Sequence, residues 1–527
     1  MAAVLVLALA LLLLLSRAAW VTLCCYVLTP MRIRRALAGQ GVGGPPARLL
    51  VGNLGDVSAL VAEATAGDVG SLSHDIVGRL LPHYVRWSKA YGKLFVYWYG
   101  SEPRVCVTDA GMVRELLSSR HAHATGKSWM QRQGARHFIG GGLIMANGAA
   151  WARQRHVVAP AFMADKLKGR VGHMVECTRG AVRAMREAVA REGNEVEVGK
   201  HMARLAGDII ARTEFDTSYD TGKRIFSLIE ELQRLTARSS RYLWVPGSQY
   251  FPSTYSREIR RLNAELERLL QDSIQRSREI ADEGRTPSLA CGMGLLGMLL
   301  AETEKKRKKK KNSDDKKPGY DAQMMIDECK TFFFAGHETS ALLLTWAIML
   351  LATNPAWQDR ARAEVAAVCG DAPPTADHLP KLTVLQMVIN ETLRLYPPAT
   401  LLPRMAFEDI TLGSGELRVP RGASVWIPVL AIHHDEAVWG PDAHEFRPDR
   451  FASGRGRFFL PFASGPRNCV GQAYAMVEAK VVLAMVLASF RFGISDEYRH
   501  APVNVLTLRP RHGVPVRLLP LATTRHY

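Results

Sequence analysis

The residues best placed to do chemistry lie near the carboxyl end. Phe462, Gly465, Arg467, Cys469 and Gly471 fall within one ten-residue run, FASGPRNCVG. Cys469 stands between a glycine-rich loop and a long apolar stretch, 470–490, whose composition predicts a buried helix. Glycines there let the backbone approach a flat ligand and leave amide N–H groups free to face the sulfur. Those groups, with the amino end of the helix, favour a thiolate over a thiol. Arg467 offers a planar fork for a carboxylate. A plain buried cysteine is the competing reading. It suits Cys106, Cys177 or Cys369, but it leaves the residue types around Cys469 without a reason.

A second group sits in Ala335-Gly336-His337-Glu338-Thr339-Ser340. A hydroxyl inside a helix usually bonds back to the preceding turn. An acid beside an alcohol in an otherwise apolar segment is less easily dismissed. Glu391 and Arg394 form a third group: at i and i+3 they share a helix face and can pair. Trp151 and Arg155, Arg404, and Arg450 within FRPDRF (446–451) complete the set.

The elements that must position these residues are mostly helical. Residues 324–352 contain no proline and are apolar almost all round after Thr339, as a buried central helix would be. Asn354-Pro355 supplies an N-cap and a first-turn proline for the helix that follows. Another helix is expected over 380–395, stopped by Pro397-Pro398. Strand-like runs occur at 94–99, 105–108 and 424–428. The expected class is mainly α with small β-sheets.

Residues 2–15 are wholly apolar, Ser16 and Arg17 interrupt, and 18–28 resume. Such a stretch can cross a hydrocarbon core of about 30 Å, with Arg17 as a cost. A cleaved signal peptide competes with this reading, yet nothing basic precedes the apolar core. Arg32, Arg34, Arg35 and Arg48 follow it, with no acid before Asp56. By the positive-inside rule the body then faces the cytosol. The reading is a single-pass anchor at 1–29 and a basic hinge at 30–55, with Gly43-Gly44-Pro45-Pro46 as a stiff connector.

The chain has 527 residues, and 68 Lys+Arg against 50 Asp+Glu give a net charge of +18. Hydrophobic residues at 47% exclude a mainly disordered chain. The run 305–311 (KKRKKKK) is open to a nuclear-import or nucleic-acid reading. No aromatic residue is interleaved to stack bases, and an anchor contradicts a nuclear address. Residues 302–318 are therefore expected to be a basic, disordered insertion, with no nucleic-acid partner. Eight cysteines without a CxxC pair support neither a zinc ribbon nor a disulfide framework.

Together these motifs resemble the cytochrome P-450 monooxygenases. FASGPRNCVG is similar to their cysteine loop, ETLR (391–394) to their ExxR pair, and FRPDRF to the downstream motif whose arginine joins it. AGHETS (335–340) is similar to the oxygen-activation motif, and WARQR (151–155) to the WxxxR of their third helix. The resemblance runs from the anchor to the carboxyl end, so the three or four units suggested by length become one catalytic domain at 56–527.

The resemblance implies one haem b with Cys469 thiolate as axial ligand to iron. Arg467, Trp151, Arg155 and Arg404 would serve the haem propionates. Gly336 and Ala335 would leave room for dioxygen, Thr339 would hydrogen-bond it, and Glu338 would relay protons. Glu391, Arg394 and Arg450 would be a structural lock. Electrons would come from NADPH through a separate flavin reductase docked on the basic cysteine side, where 447–471 hold five basic residues and one acid. Endoplasmic reticulum is the usual address of such anchors. A haem protein without oxygenation is the alternative from another class, and the Glu338-Thr339 pair argues against it.

TGKSWMQRQG (125–134), GLIMANGAAWARQRHVVAPAF (142–162), MIDECKTFFFAGHET (325–339) and LRLYPPATLLPRMAFEDI (393–410) look like the plant hormone hydroxylases, most of all the cytokinin trans-hydroxylases. That group hydroxylates the prenyl chain of isopentenyladenine nucleotides. A gibberellin or brassinosteroid hydroxylase is the rival. Candidates for lining the substrate site are Trp129, Met130, Phe332, Phe333, Phe334, Thr400, Leu401 and Leu402, each of which could equally be core. Lys127, Arg132 and Arg136 are candidates for a phosphate.

Overall fold

The computed structural model describes residues 1–48, 50–70, 72–215, 217, 219–239, 254–282, 294–310, 322–453 and 458–521. The chain begins with a helix at Ala2–Leu23, passes through a π-type turn at Cys24–Leu28, and continues as helix through Thr29–Ala38. Pro30 explains the wider turn: it has no N–H to offer the preceding turn, and the helix adjusts so that the Thr29 N–H donates to the Cys24 carbonyl.

The expected boundary at residue 29 is therefore not a break. The helix runs on past Arg32, Arg34 and Arg35, and its last turns are seated on the body. Ile33 and Leu37 are fully buried with Val96, Val105, Leu417 and Val425. Arg32 donates to the Arg421 carbonyl at 2.9 Å, and Gln40 accepts from the Arg418 N–H at 2.7 Å. The Gly-Pro connector is pinned as well. Val96 N–H donates to the Gly43 carbonyl, and a Cβ on Gly44 would lie 1.8 Å from the Val96 oxygen.

Among the described residues three helices are long and apolar enough to cross a membrane. Ala322–Thr353 and Gln472–Ser489 are mostly buried and form the core, whereas the amino-terminal helix leaves its apolar side chains bare up to Trp20 and beyond. Ala322–Thr353 is the central helix. It packs on the helix Val198–Phe215 and on Gln472–Ser489, with Trp346 and Leu350 wholly enclosed.

A five-stranded sheet flanks the helices in the order Phe95–Tyr99, Glu102–Cys106, Ser424–Ile427, Leu402–Ala406, Thr125–Gly126. The expected strand at 105–108 thus starts earlier and ends at Cys106. Three small sheets are built from Pro502–Val505 with Thr507–Pro510, from Ile410–Leu412 with Leu417–Val419, and from Glu195–Glu197, Pro515–Pro520 and Phe490–Ile494.

Two local expectations need correction. Asn354 does precede the helix Pro355–Cys369, but its amide turns back to the Leu350 carbonyl instead of capping the helix. The basic insertion expected to be unstructured is helical in its first part, because Leu295–Lys310 form one helix. Residues 311–318 lie outside the described residues, as do Arg455 and Arg457.

Candidate functional site

The cysteine loop is closed by its own backbone. Cys469 N–H donates to the Phe462 carbonyl at 2.9 Å, and Asn468 N–H to that of Gly465 at 3.0 Å. Gly465 has a φ of +70°, and a Cβ there would lie 1.8 Å from the Leu117 carbonyl oxygen. Its type is set by packing against protein backbone, not by the approach of a flat ligand as expected. Gly471 occupies the N-cap of Gln472–Ser489.

Cys469 is exposed because its side chain opens into a cavity. Burial pushes its thiol pKa up, while the Gly471 amide and Arg155 pull it down. The net direction is upward, so the amide and helix-end effects expected to favour the thiolate do not win by themselves. A metal cation in front of the sulfur reverses that balance.

A cavity of about 340 Å³ lies between the cysteine loop and the central helix. Cys469, Phe462, Gly471, Trp151, Ala335, Gly336 and Thr339 all line it. So do four cationic side chains, Lys127, Arg155, Arg404 and Arg467, and no Asp or Glu among the described residues. Arg467 lies over the Trp151 ring at 4.3 Å and donates to the carbonyls of Ala122 and Ala146, with its Nη2 buried and unpartnered. Burial lowers Arg404 to about 10; burial and then Arg404 lower Arg467 to about 10. A cationic wall without carboxylates, one orphaned guanidinium nitrogen and a facing sulfur fit a tetrapyrrole bearing two carboxylates and a metal.

Arg155 differs from expectation. Its Nη1 and Nη2 donate to the backbone and side-chain oxygens of Asn468, both at 2.7 Å. It braces the residue before Cys469, so a cofactor carboxylate would have to share it.

On the central helix three expectations change. The space beside Gly336 is taken by Ile210: a Cβ at 336 would lie 2.6 Å from its Cδ1. The Thr339 hydroxyl donates to the Ala335 carbonyl at 2.6 Å, so towards the cavity it presents lone pairs. Glu338 does not line the cavity. It faces a neighbouring pocket, accepting from Thr507 and from Arg509 Nε at 2.7 Å and Nη2 at 2.6 Å.

The helix Thr383–Leu395 brings Glu391 and Arg394 together as a fully buried bidentate pair, with both distances 2.8 Å. Arg450 Nε joins Glu391 at 3.0 Å. Arg394 also holds the carbonyls of His433 and Ala443. This cluster fixes the segment that leads into the cysteine loop.

Of the substrate candidates, Phe332, Phe334 and Leu402 line the cavity. Phe333 points elsewhere and stacks on Phe215 at 3.9 Å. Trp129 is 52% exposed, and neither it nor Met130 nor Leu401 reaches the cavity wall. Thr400 accepts from Asn504 and lies outside the wall. Arg132 and Arg136 are likewise absent from it, leaving Lys127 alone of the three phosphate candidates. Sequence reading missed Ile210, Tyr474, Ser340 and Leu143. Tyr474 lies five residues beyond Cys469, in the first turn of Gln472–Ser489, inside the apolar stretch already expected to be a helix. Ile210 comes from a distant helix and carries no local signal.

Residues 73–512 match the family model for Cytochrome P450, and the chain belongs to that family. It is a P450 monooxygenase: a haem-thiolate enzyme that uses O2, a redox partner and a small-molecule substrate.

The chain is 52% identical over 512 residues to a cytokinin hydroxylase of Arabidopsis thaliana, covering 96% of each protein. A second Arabidopsis cytokinin hydroxylase is 52% identical over 506 residues, 95% of this chain and 96% of the relative. Cytochrome P450 734A4 of Oryza sativa subsp. japonica is 39% identical over 93% of this chain and 94% of its own.

Proposed function

We propose that this enzyme hydroxylates the prenyl side chain of isopentenyladenine nucleotides in trans, giving trans-zeatin nucleotides. The observation that carries the reading is 52% identity along the whole chain to two cytokinin hydroxylases. The cavity supports it: Phe332, Phe334, Leu143 and Leu402 offer flat and branched apolar contact to a purine and a prenyl tail.

In this reading Cys469 would hold the haem iron through its thiolate, which would supply electron density to it. The haem, when bound, supplies the activation of dioxygen and its insertion into a C–H bond. Arg404 and Arg467 hold the carboxylate edge, and the Trp151 ring supports Arg467. Phe462 and Gly471 line the sulfur's side of the cavity.

Thr339 lines the cavity with its proton committed to the Ala335 carbonyl, so its oxygen would accept from, and orient, a proton donor held there. Glu338, in contact with the outer pocket, can pass protons inward once it leaves Arg509. The apolar wall orients the prenyl terminus and excludes water.

Electrons come from NADPH through a separate flavin reductase. Its docking face is the side where a second opening, lined by Arg155, Gln386, Asn390, Gln472 and Met476, reaches Cys469. The amino-terminal helix spans the membrane once, in the endoplasmic reticulum, with the body on the cytosolic face.

The test is product identification from membranes supplied with reductase, NADPH and isopentenyladenosine phosphate. A zeatin-type nucleotide is expected. Absence of that product, or turnover of a gibberellin or brassinosteroid precursor instead, overturns the reading.

A further inference from the structure

We propose that Glu328 and Thr331 are positioning residues that set which methyl group of the prenyl tail is oxidised, by latching the loop 139–143 to the central helix. This rests on the hydroxylase reading above and deepens it.

The latch begins with close backbone contact. Gly140 has a φ of +75°, and a Cβ there would lie 2.7 Å from Asp327 Oδ1 and 2.9 Å from its Cα. At Gly142 a Cβ would lie 2.4 Å from Thr331 Oγ1 and 2.8 Å from the Asp327 carbonyl oxygen. The loop therefore lies directly on the amino-terminal half of Ala322–Thr353.

Side chains of that helix then hold the loop backbone. The Thr331 hydroxyl donates to the Ile139 carbonyl at 2.8 Å, and Glu328 Oε2 accepts from the Leu143 N–H at 3.0 Å. Between them, Asp327 accepts from the Gly141 N–H. Gln154, from the helix Gly148–Val158, adds a bond to the Gly141 carbonyl at 3.3 Å. Glu328 and Thr331 are both buried. A carboxylate is costly to bury unless it is hydrogen-bonded, and the Leu143 N–H is one bond that Glu328 makes.

What the latch fixes is a stretch of cavity wall. Leu143 and Ile144 line the cavity beside Thr331, Phe332 and Phe334. Phe138, just before the loop, sets its ring edge-on to Phe334 at 5.5 Å. The prenyl tail ends in two methyl groups on one trigonal carbon, chemically alike and distinguished only by position. One methyl's difference in fit to an apolar pocket is worth about 10- to 200-fold, provided that the wall stays in place. A run of three glycines has little stiffness of its own. Unlatched, it would let Leu143 and Ile144 shift and admit either methyl.

The experiment compares trans- and cis-zeatin nucleotides formed by the full-length protein with reductase, NADPH and isopentenyladenosine phosphate. Glu328→Met and the nearly isosteric Thr331→Val are each expected to raise the cis product, relative to trans, about tenfold. Glu328→Gln and Thr331→Ser keep the acceptor and the donor and are expected to stay within about twofold of the unaltered chain. Gly142→Ala, which pushes the loop away while leaving both partners intact, is expected to shift the ratio as Glu328→Met does. Amide hydrogen exchange over 139–145 should quicken in each variant that shifts it. An unchanged ratio in Thr331→Val and Gly142→Ala would overturn the proposal, even if Glu328→Met failed to fold. So would a shift in Glu328→Gln as large as in Glu328→Met. Faster exchange with no change in ratio would overturn it too, because the latch would then be structural alone. If the unaltered chain formed no zeatin-type nucleotide, the hydroxylase reading itself would fall, and the proposal with it.

Discussion

Ile210 fills the space over Gly336, its Cδ1 only 2.6 Å from where a Cβ would stand. The glycine of the central helix thus serves the contact between Ala322–Thr353 and Val198–Phe215, although both residues also line the cavity. Gly336→Ala should cost about 1–3 kcal/mol through overpacking, less about 1 kcal/mol returned by helix propensity. Adding Ile210→Ala should relieve the clash, so the double variant should be more stable than the two single effects predict. Denaturant midpoints of the four proteins check this, and simple additivity would contradict it.

The Glu391–Arg394 pair is wholly enclosed. Arg394→Ala leaves a buried carboxylate short of its main partner and should cost about 3–5 kcal/mol, enough to deplete folded, haem-loaded protein. Arg450→Ala should cost less, since Arg394 still grips both carboxylate oxygens. Yields of haem-loaded protein and urea midpoints for the two variants should fall in that order.

Glu478 is buried against the central helix, and among the described residues only Ser340 donates to it, at 2.6 Å. Burial pushes its pKa up to about 8, with Ser340 opposing. Unfolded, it titrates near 4.5. Between these values the folded state holds a proton that the unfolded state has released, so stability falls as pH rises through the window. The slope approaches about 1.4 kcal/mol per pH unit. Glu478→Gln should flatten this decline, which a stability profile from pH 5 to 8 would reveal; an unchanged slope would count against it.

Thr339→Ala removes the hydroxyl that lines the cavity and donates to the Ala335 carbonyl. It should still consume NADPH but divert electrons to hydrogen peroxide, whereas Thr339→Ser, which keeps the oxygen, should couple better. The ratio of product to NADPH decides it, and tight coupling in Thr339→Ala would remove Thr339 from the proposed role.

What the sequence revealed depended on how local the cause was. Central and cysteine-loop helices, the ExxR pair and the anchor are written in periodicity and short motifs, so their places were legible. The ion pair of Glu338 with Arg509 spans 171 residues and carries no local signal. Nor does Leu117 holding the backbone against Gly465, or Ile210 against Gly336. Phe332, Phe333 and Phe334 read alike in sequence, yet the middle ring stacks on Phe215 while the outer two line the cavity. Ile33 and Leu37 looked like part of a hinge until the sheet they pack on was in view.

Everything proposed for the site hangs on Cys469 as a thiolate ligand. The most direct measurement is the absorption spectrum of the reduced, carbon-monoxide-bound protein beside that of Cys469→Ala. A red-shifted band in the unaltered chain, absent from the variant, is the predicted result. A variant that keeps the band would show that the iron is held elsewhere.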